Sequence, residues 1–250
     1  PCSGLLACDR IGEGRMADPE LIELAVKNSK AKIDLHGDIK KDLSGLNLLV
    51  TAGPTKEALD PVRVLTNRSS GRMGIHIAQA ARFRGAKVQL IHGSLDLPNS
   101  WLEGIDTYQI ENAEEMRNLL NSLQPDADLI VMAAAVGDLR RKNGPKASKS
   151  NKQDLLNSIQ QNSLEEVPDL LKGLVQNKRT KQILLGFAAL SGNSLQIQET
   201  AKAKKFLKGC DLLMANPIDL AEQGFGDKPN GGFLIGPDEN VKTIPKTSKI

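Results

Sequence analysis

The chain has 250 residues, of which 40% are hydrophobic and 25% charged, and a formal net charge of +3 at pH 7. This composition is typical of a globular protein, and the scarcity of aromatic residues (3%) disfavours a surface that stacks on single-stranded nucleic acid. No apolar run reaches the roughly 20 residues of a membrane-spanning helix, and we recognise no signal peptide. Three cysteines, an odd number, disfavour a disulfide framework and predict a cytoplasmic protein.

The first 44 residues come before the regular part of the pattern. We expect residues 1–17 to form an irregular loop. Asp18 followed by Pro19 predicts a helix from Pro19 to about Asn28, because aspartate caps helices and proline suits the first helical position. The charged and poorly periodic residues 30–44 predict a linker.

From Leu46 onward, predicted strands and helices alternate. The predicted strands are Leu46–Ala52, Lys87–His92, Thr107–Glu111, Leu129–Ala133, Asp154–Gln161, Lys181–Ala189 and Cys210–Ala215. The predicted helices are Gly71–Arg84, Ala113–Leu123, Val167–Asn177 and Ser194–Lys208. Phe233–Ile235 and Val241–Ile244 predict a closing hairpin. The alternation predicts an α/β fold, Rossmann-like, with a doubly wound and mainly parallel sheet flanked by helices. Ligands of such sheets bind at the carboxyl ends of the strands.

The stretch from Val50 to Gly74 is the best candidate for a binding site. A strand runs into a glycine turn at Gly53, and after roughly 18 polar residues a helix begins near Gly71. Unpaired N–H groups and the helix dipole favour an anion at such a helix start, and glycines let it approach the backbone. Arg63 and Arg72 add cationic donors. The alternative is an ordinary strand–loop–helix connection.

Three segments of this stretch resemble the phosphopantothenoylcysteine synthetase family, the ligase half of bifunctional bacterial coenzyme A biosynthesis proteins. They are Gly53-Pro54-Thr55, Asp60-Pro61-Val62-Arg63 and Asn67-Arg68-Ser69-Ser70-Gly71-Arg72-Met73-Gly74. Their order and spacing are those of the family, and the resemblance extends over about residues 45–250. Gly186-Phe187-Ala188-Ala189 also matches, although Leu190 stands where the family has Glu.

The resemblance implies roles for individual residues. Catalysis is expected from Asn67, Lys146 and Arg63, and substrate binding from Asn67, Arg63 and Asn216. Nucleotide binding is expected from Gly53, Ser69, Gly71, Gly74, Ala134, Asp138, Lys146, Pro168, Asp169, Leu170, Leu171, Phe187, Lys204 and Lys208. In the family's Lys-x-Lys-Lys motif, which starts here at Lys146, Ser148 occupies the third position. Without the resemblance, Phe187 would be read as core, and the two lysines at i, i+4 as a solvated helix face.

The reaction implied is the nucleotide-dependent ligation of 4′-phosphopantothenate with L-cysteine through an acyl-nucleotide intermediate. CTP is the expected nucleotide, with ATP as the less favoured choice. Mg²⁺ is expected on the triphosphate, with no metal ligand assigned in the chain. The family also implies a homodimer, with small molecules as partners and neither nucleic acid nor membrane.

Residues 1–30 resemble the substrate-binding clamp of phosphopantothenoylcysteine decarboxylase, the partner activity, which uses FMN. Cys8 matches the family's proton donor, and Asp9 stands where the family has glycine. Because the flavin-binding lobe does not precede this clamp, we expect a remnant without decarboxylase activity. The expected domains are therefore a clamp remnant with its helix (1–30), a linker (31–44) and a ligase domain without the family's final helix (45–250).

Other functions stay open at this stage. An NAD(P) oxidoreductase is disfavoured because Gly-x-Gly-x-x-Gly is absent, and because strand Lys87–His92 does not end in Asp or Glu. An RNA-binding module could use the basic segment 140–152, which has no acidic residue, although the modest net charge speaks against it. A non-catalytic fragment that bears the clamp is the third possibility.

Overall fold

The computed structural model describes residues 2–6, 8–30, 41–160, 163–219 and 230–247. The strands are β1 Cys2–Leu5, β2 Ile11–Arg15, β3 Asn47–Ala52, β4 Lys56–Ala58, β5 Val64–Thr66, β6 Lys87–His92, β7 Asp106–Gln109, β8 Leu129–Met132, β9 Leu139–Arg141, β10 Leu164–Glu166, β11 Ile183–Leu190, β12 Leu212–Pro217, β13 Asn230–Ile235 and β14 Val241–Thr247. The helices are α1 Pro19–Lys30, α2 Arg72–Phe83, α3 Ala113–Leu123, α4 Lys152–Gln160, α5 Leu170–Gln176 and α6 Ser194–Lys208. None of the helices in this described part is long and apolar enough to cross a membrane.

The central sheet has eight strands in the order β14-β13-β12-β11-β8-β3-β6-β7. The pairs from β12 to β7 are parallel, and β13 and β14 close the other edge as an antiparallel hairpin. The predicted α/β class, the mainly parallel doubly wound sheet and the closing hairpin are confirmed. The carboxyl ends of β3, β8, β11 and β12 lie side by side at one edge of the sheet, where the site is expected.

Two apolar cores lie on the two faces of this sheet. Leu49 belongs to the core packed by α3, α5 and α6, whereas Leu48 and Val50 belong to the core packed by α2. Successive side chains of a strand point to opposite faces, so this alternation along β3 places helices on both sides. The doubly wound arrangement follows.

The predicted strand Asp154–Gln161 is wrong, because residues 154–160 lie in helix α4, and residue 161 lies outside the described residues. Asn151 caps this helix by accepting a hydrogen bond from the Asp154 N–H at 2.8 Å. The apolar residues of this segment are too few and too irregularly spaced to distinguish a helix from a strand.

The N-terminal residues 1–17 were expected to be irregular, and this too is wrong. Strands β1 and β2 form an antiparallel hairpin with Leu5 paired to Ile11, and Cys8 is exposed in its turn. Glycines at 12 and 14 mask the strand pattern, since glycine is depleted in strands. The predicted helix that follows is confirmed as α1.

Helix α1 packs on α2 and on the turn that follows β6. Leu21 and Leu24 are buried there, and the Trp101 indole donates a hydrogen bond to Glu20 Oε2 at 3.0 Å. Helix α1 is therefore attached to the main domain through α2 and Trp101. Most of the predicted linker, residues 31–40, lies outside the described residues.

Short strands inside predicted loops escaped the sequence analysis. The polar connection after β3 contains the hairpin β4–β5, and the segment after β8 contains β9, which pairs with β10. Each of these strands has three residues, which is too short for a period of two to be detected. The hairpin β4–β5 brings residue 67 back towards the end of β3.

Candidate functional site

A cavity of about 950 Å³ opens at the carboxyl ends of β3, β8, β11 and β12. Its walls are formed by the loop before α2, the segment after β8, the start of α5, the end of β11 and one face of α6. Six charged side chains line it, three cationic and three anionic, namely Arg72, Lys204, Lys208, Asp138, Glu166 and Asp169. The cavity can therefore surround a polyanion with donors and also hold a cation beside it.

Asn67 lies where the loop after β3 meets the segment after β8. Its amide Nδ2 donates to the Val136 carbonyl at 3.0 Å and to the Ala135 carbonyl at 3.4 Å. Both donor hydrogens are thus directed at the backbone, which leaves the amide oxygen as an acceptor. The hairpin that delivers Asn67 is closed by a hydrogen bond of 2.8 Å from the Thr66 hydroxyl to the Thr55 carbonyl.

The segment after β8 is fastened to the end of β3 by two threonines. The Thr51 hydroxyl oxygen accepts from the Ala134 N–H at 3.1 Å, and the Thr55 hydroxyl oxygen accepts from the Gly137 N–H at 2.9 Å. Both threonines are buried. The floor of the cavity is thus rigid backbone, held in place by side chains from the neighbouring strand.

The N-terminus of α2 faces the cavity. Gly71 caps this helix in the left-handed conformation (φ 79°), and no side chain of the described residues caps the helix in its place. A Cβ on Gly74 would lie 2.6 Å from Ala52 Cβ, so this glycine lets the helix start directly on β3. Exposed N–H groups and the helix dipole make the position suitable for a phosphate.

Helix α6 contributes two lysines to the opposite wall. Lys208 Nζ lies 2.6 Å from Asp169 Oδ2, and Asp169 Oδ1 caps α5 by accepting from the Lys172 N–H. Lys204, one turn earlier, is exposed. One lysine is therefore held by a carboxylate that also orders α5, and the other extends towards solvent.

Phe187 is half-buried on β11, where it packs against the α2-side core and also lines the cavity. Phe187 is therefore part of the core, as its residue type suggests, and its expected contact with the nucleotide stays a prediction. Asn216, at the end of β12, lines the cavity too and donates to the Gly231 carbonyl at 3.3 Å.

The structure brings most of the predicted site residues together around this cavity. Those lining it are Asn67, Ser69, Gly71, Gly74, Ala134, Asp138, Pro168, Asp169, Leu170, Leu171, Phe187, Lys204, Lys208 and Asn216. Their assigned roles stay predictions. Four predicted residues, Gly53, Arg63, Lys146 and Cys8, do not line the cavity in the described part of the chain.

Each of these four has a clear place. Gly53 supports the site from behind, where its carbonyl accepts from the Ala135 N–H at 2.9 Å. Arg63 Nη1 is bonded to Asp60 and to the Ser150 carbonyl. The Lys146 N–H donates to the Leu59 carbonyl at 3.1 Å, which attaches the basic segment to the turn between β4 and β5. Cys8 is exposed in the N-terminal hairpin.

Several residues of the cavity wall were not predicted from the sequence. Val136 and Ala135 contribute through their carbonyls, for which side-chain identity offers no signal. Glu166 ends β10, a strand that was not predicted, and Asn230 begins β13 at a position that no motif marked.

A smaller cavity of about 370 Å³ adjoins the large one. The two share Asn67, Ser69 and Ser70, and Lys56 and Arg68 also line the smaller one. The loop before α2 therefore separates two recesses.

The structure also bears on the alternative functions. Strand β6 ends at His92, which is buried and bonded through Nδ1 to the Gly93 carbonyl at 2.8 Å, where dinucleotide folds carry an acidic residue. In the basic segment, Arg140 is bonded to Glu165 at 2.8 Å and to Glu114, and the first of these bonds chiefly raises the pKa of Arg140. No group of three or more His, Cys, Asp or Glu within the described residues could hold a metal ion by itself.

Residues 43–250 match the family described as the DNA/pantothenate metabolism flavoprotein C-terminal domain. Among curated proteins, the whole chain is 36% identical over 253 residues to the coenzyme A biosynthesis bifunctional protein CoaBC of Bacillus subtilis (strain 168). It is 35% identical over 251 residues to the protein of that name from Escherichia coli (strain K12). The chain spans 58% of the length of each.

Solved structures agree with this match. The crystal structure of a CoaBC C-terminal domain aligns with a TM-score of 0.64 at 31% identity, over 83% of this chain and 89% of that one. A Cab2 mutant in complex with phosphopantothenate-cysteine aligns with a TM-score of 0.58 at 16% identity, over 94% and 91%, and supports the fold only.

Proposed function

This chain belongs to the DNA/pantothenate metabolism flavoprotein C-terminal domain family, and we propose that it ligates 4′-phosphopantothenate to L-cysteine at the expense of CTP. The observation that carries the proposal is that one cavity combines Asn67, the start of α2, which no side chain of the described residues caps, and the lysines of α6. The Cab2 mutant of the same fold binds phosphopantothenate-cysteine, the product proposed here.

The proposed reaction has two steps. The carboxylate of phosphopantothenate attacks the α-phosphorus of CTP, the bond to the β-phosphate oxygen breaks, and pyrophosphate leaves. The amine of cysteine then attacks the acyl carbon, CMP leaves, and the amine loses a proton. Since a carboxylate is a poor electrophile, the mixed anhydride supplies the leaving group that makes the amide bond accessible.

The cavity supports this chemistry because the reactants repel one another. A triphosphate, a phosphate and a carboxylate must converge, which requires fixed donors and positive charge. The start of α2, Lys204 and Lys208 supply them, and we propose that Lys146 of the basic segment adds a further cation. We propose that Asn67 orients the acid or the acyl intermediate through its free amide oxygen, and that Phe187 packs against the base.

We propose that the triphosphate itself is the main ligand of Mg²⁺, because no group of three or more His, Cys, Asp or Glu in the described part of the chain could hold the ion. Asp138 and Glu166 border the same cavity and offer carboxylate oxygens, which this ion prefers. When bound, the ion neutralises charge on the phosphates.

FMN, by the family resemblance, serves the decarboxylase, and Cys8 is the one residue that we relate to it. The cytoplasmic location stays a prediction.

We also propose a homodimer. Hairpin β4–β5 lies beside β9, and these neighbouring elements expose Val62, Val64 and Leu139, with 65%, 42% and 44% of their surface accessible. Exposed apolar side chains on adjacent elements are typical of an interface.

The experiment is pyrophosphate release from CTP and phosphopantothenate, with and without cysteine, for the parent chain and Asn67→Ala. We expect cysteine-dependent product from the parent and a fall of about 10²-fold in the variant, comparable to the loss of one oriented donor or acceptor at a reacting group. Asn47→Ala is the matched control, because Asn47 lies at the opposite end of β3. Release with ATP but not CTP would overturn the choice of base, and no release with either would overturn the function.

A further inference from the structure

Asp60 is a buried carboxylate outside the cavity, in the turn between β4 and β5. Its Oδ1 accepts from the N–H groups of Val62 and Arg63 at 2.9 and 3.0 Å, which closes the turn. Its Oδ2 accepts instead from Arg63 Nη1 at 3.1 Å and from the Ser150 N–H at 3.2 Å. The two oxygens therefore have separate functions, one local and one reaching 90 positions along the chain.

Ser150 is held at both of its backbone groups. Its N–H is bonded to Asp60, and its carbonyl accepts from Arg63 Nη1 at 3.1 Å. Four residues earlier, the Lys146 N–H donates to the Leu59 carbonyl at 3.1 Å. The end of the basic segment, residues 146–150, is thus attached to the 59–63 turn at two points, although all of its residues except Lys146 and Ser150 are exposed.

Charge gives this attachment its strength. Residues 139–153 contain six Lys or Arg and no acidic residue, so like charges repel one another within the segment and oppose its ordering. Asp60 places an anion at the end of this segment, where it pairs with Arg63 and accepts from the Ser150 N–H. The Val62 N–H above all, together with Ser150 and Arg63, lowers the pKa of Asp60, so the group is charged at neutral pH. Hydrogen bonds to an ionised acceptor are roughly twice as strong as neutral ones.

The turn that holds the segment also leads into the proposed site. From Arg63 the chain passes through β5 directly to Asn67, which is bonded to the floor of the cavity. A displacement of the turn would therefore move the basic segment and Asn67 together. Asp60 lines neither cavity and acts through its neighbours.

We infer that Asp60 is a positioning residue, which with Arg63 fastens the basic segment at Ser150 so that Lys146 is presented to the phosphate chain from a fixed point. The inference rests on the proposed ligase function for its effect on catalysis, while the attachment itself is a property of the fold. It also gives Arg63 a structural role, because its guanidinium donates to the Ser150 carbonyl while Asp60 accepts from the Ser150 N–H.

Asp60→Asn tests the inference at atomic level. The asparagine oxygen can still accept the bonds that close the turn, whereas its NH₂ group would face the Arg63 and Ser150 donors and break the fastening. Asp154→Asn is the matched control, since it removes the same charge from an exposed position four residues beyond Ser150. Ser150→Pro is a second variant, which removes the Ser150 N–H and leaves Asp60 in place.

Two readouts are measured on the full chain. The first is limited proteolysis with trypsin, which needs no activity and reports local opening at Lys142, Lys146 and Lys152, the sites that stay cleavable in every variant because trypsin does not cut before proline. We expect cleavage there to be about tenfold faster in Asp60→Asn and Ser150→Pro, since a tenfold change in the opening equilibrium corresponds to about 1.4 kcal/mol. We expect no change in Asp154→Asn. Circular dichroism of each variant checks that the fold is retained.

The second readout is the kinetics of pyrophosphate release. Misplacing Lys146 should lower kcat about 10-fold to 10²-fold in Asp60→Asn, with the KM for phosphopantothenate almost unchanged. Parent-like cleavage in both folded variants would overturn the fastening, and faster cleavage with parent-like kcat would overturn the positioning role. If the parent itself releases no pyrophosphate, the proposed function fails, and the cleavage rates still decide whether Asp60 holds the segment.

Discussion

At the scale of single residues, Lys204 and Lys208 differ in what holds them. Lys208 is paired with Asp169 at 2.6 Å, whereas Lys204 is exposed. Removal of Lys208 would leave the Asp169 carboxylate without its counter-charge at the cavity wall, facing the phosphates of a nucleotide. Loss of the lysine cation and exposure of the aspartate anion would both weaken the binding of a nucleotide.

We therefore predict that Lys208→Gln raises the KM for CTP by about 10-fold to 10²-fold over the parent, because the unpaired Asp169 carboxylate would repel the phosphates. Lys204→Gln should raise this KM by a smaller factor. Initial rates at varied CTP measure this. Lys202→Gln on the same helix is the control, because Lys202 faces Glu239 at 3.5 Å and lies outside the cavity. Equal KM values for Lys208→Gln and Lys202→Gln would contradict the assignment of Lys208 to the nucleotide.

At the scale of elements, the start of α2 depends on a glycine contact. A Cβ on Gly74 would lie 2.7 Å from the Thr51 carbonyl oxygen as well as against Ala52, and backbone cannot move aside as a flexible side chain can. Thr51 also holds the Ala134 N–H. One contact thus links the helix start to the floor of the cavity.

Gly74→Ala is predicted to lower the free energy of unfolding by about 1–3 kcal/mol, as overpacking does, and to weaken nucleotide binding. Gly173→Ala is the control, because Gly173 lies in α5 with no atom within 4 Å of its would-be Cβ, and helical Gly→Ala gains about 0.5–1 kcal/mol. Urea unfolding followed by the fluorescence of Trp101, the sole tryptophan, measures the free energy of unfolding of both variants. A Gly74→Ala protein as stable as the parent would refute the contact.

At the scale of the whole molecule, the elements that present the proposed dimer surface are the small sheets attached to the main one. Hairpin β4–β5 holds Asp60 and Arg63 and delivers Asn67, and it exposes Val62 on its outer side. A dimer formed there would place the hairpins close to the partner chain, next to the site that they organise.

Val62→Lys is predicted to convert the dimer into a monomer, since a charge at the centre of an apolar interface is costly to desolvate. Sedimentation velocity at several concentrations measures this. Leu195→Lys is the matched control, because Leu195 is as exposed (72%) but lies on α6. If the parent sediments as a monomer at all concentrations, the homodimer proposal is wrong, and if only Leu195→Lys dissociates, the interface lies elsewhere.

The sequence by itself determined the order of the main elements and the loop from Asn67 to Gly74. Hydrophobic period, caps and glycine positions are local properties, so helices α2, α3 and α6 and strand β6 could be located within a residue or two. The same local reasoning failed at α4, where two adjacent leucines in a polar segment have no period, and at three-residue strands such as β4 and β9.

Only the tertiary structure decided which partners the polar side chains take. Arg63 was expected at the substrate, yet its guanidinium meets the carbonyl of Ser150, 87 positions away. Asn67 was expected in the site, but its attachment to Val136 depends on two strands lying next to each other in the sheet. Hydrogen bonds between distant segments follow from how the chain is brought together, and a linear pattern does not encode this arrangement.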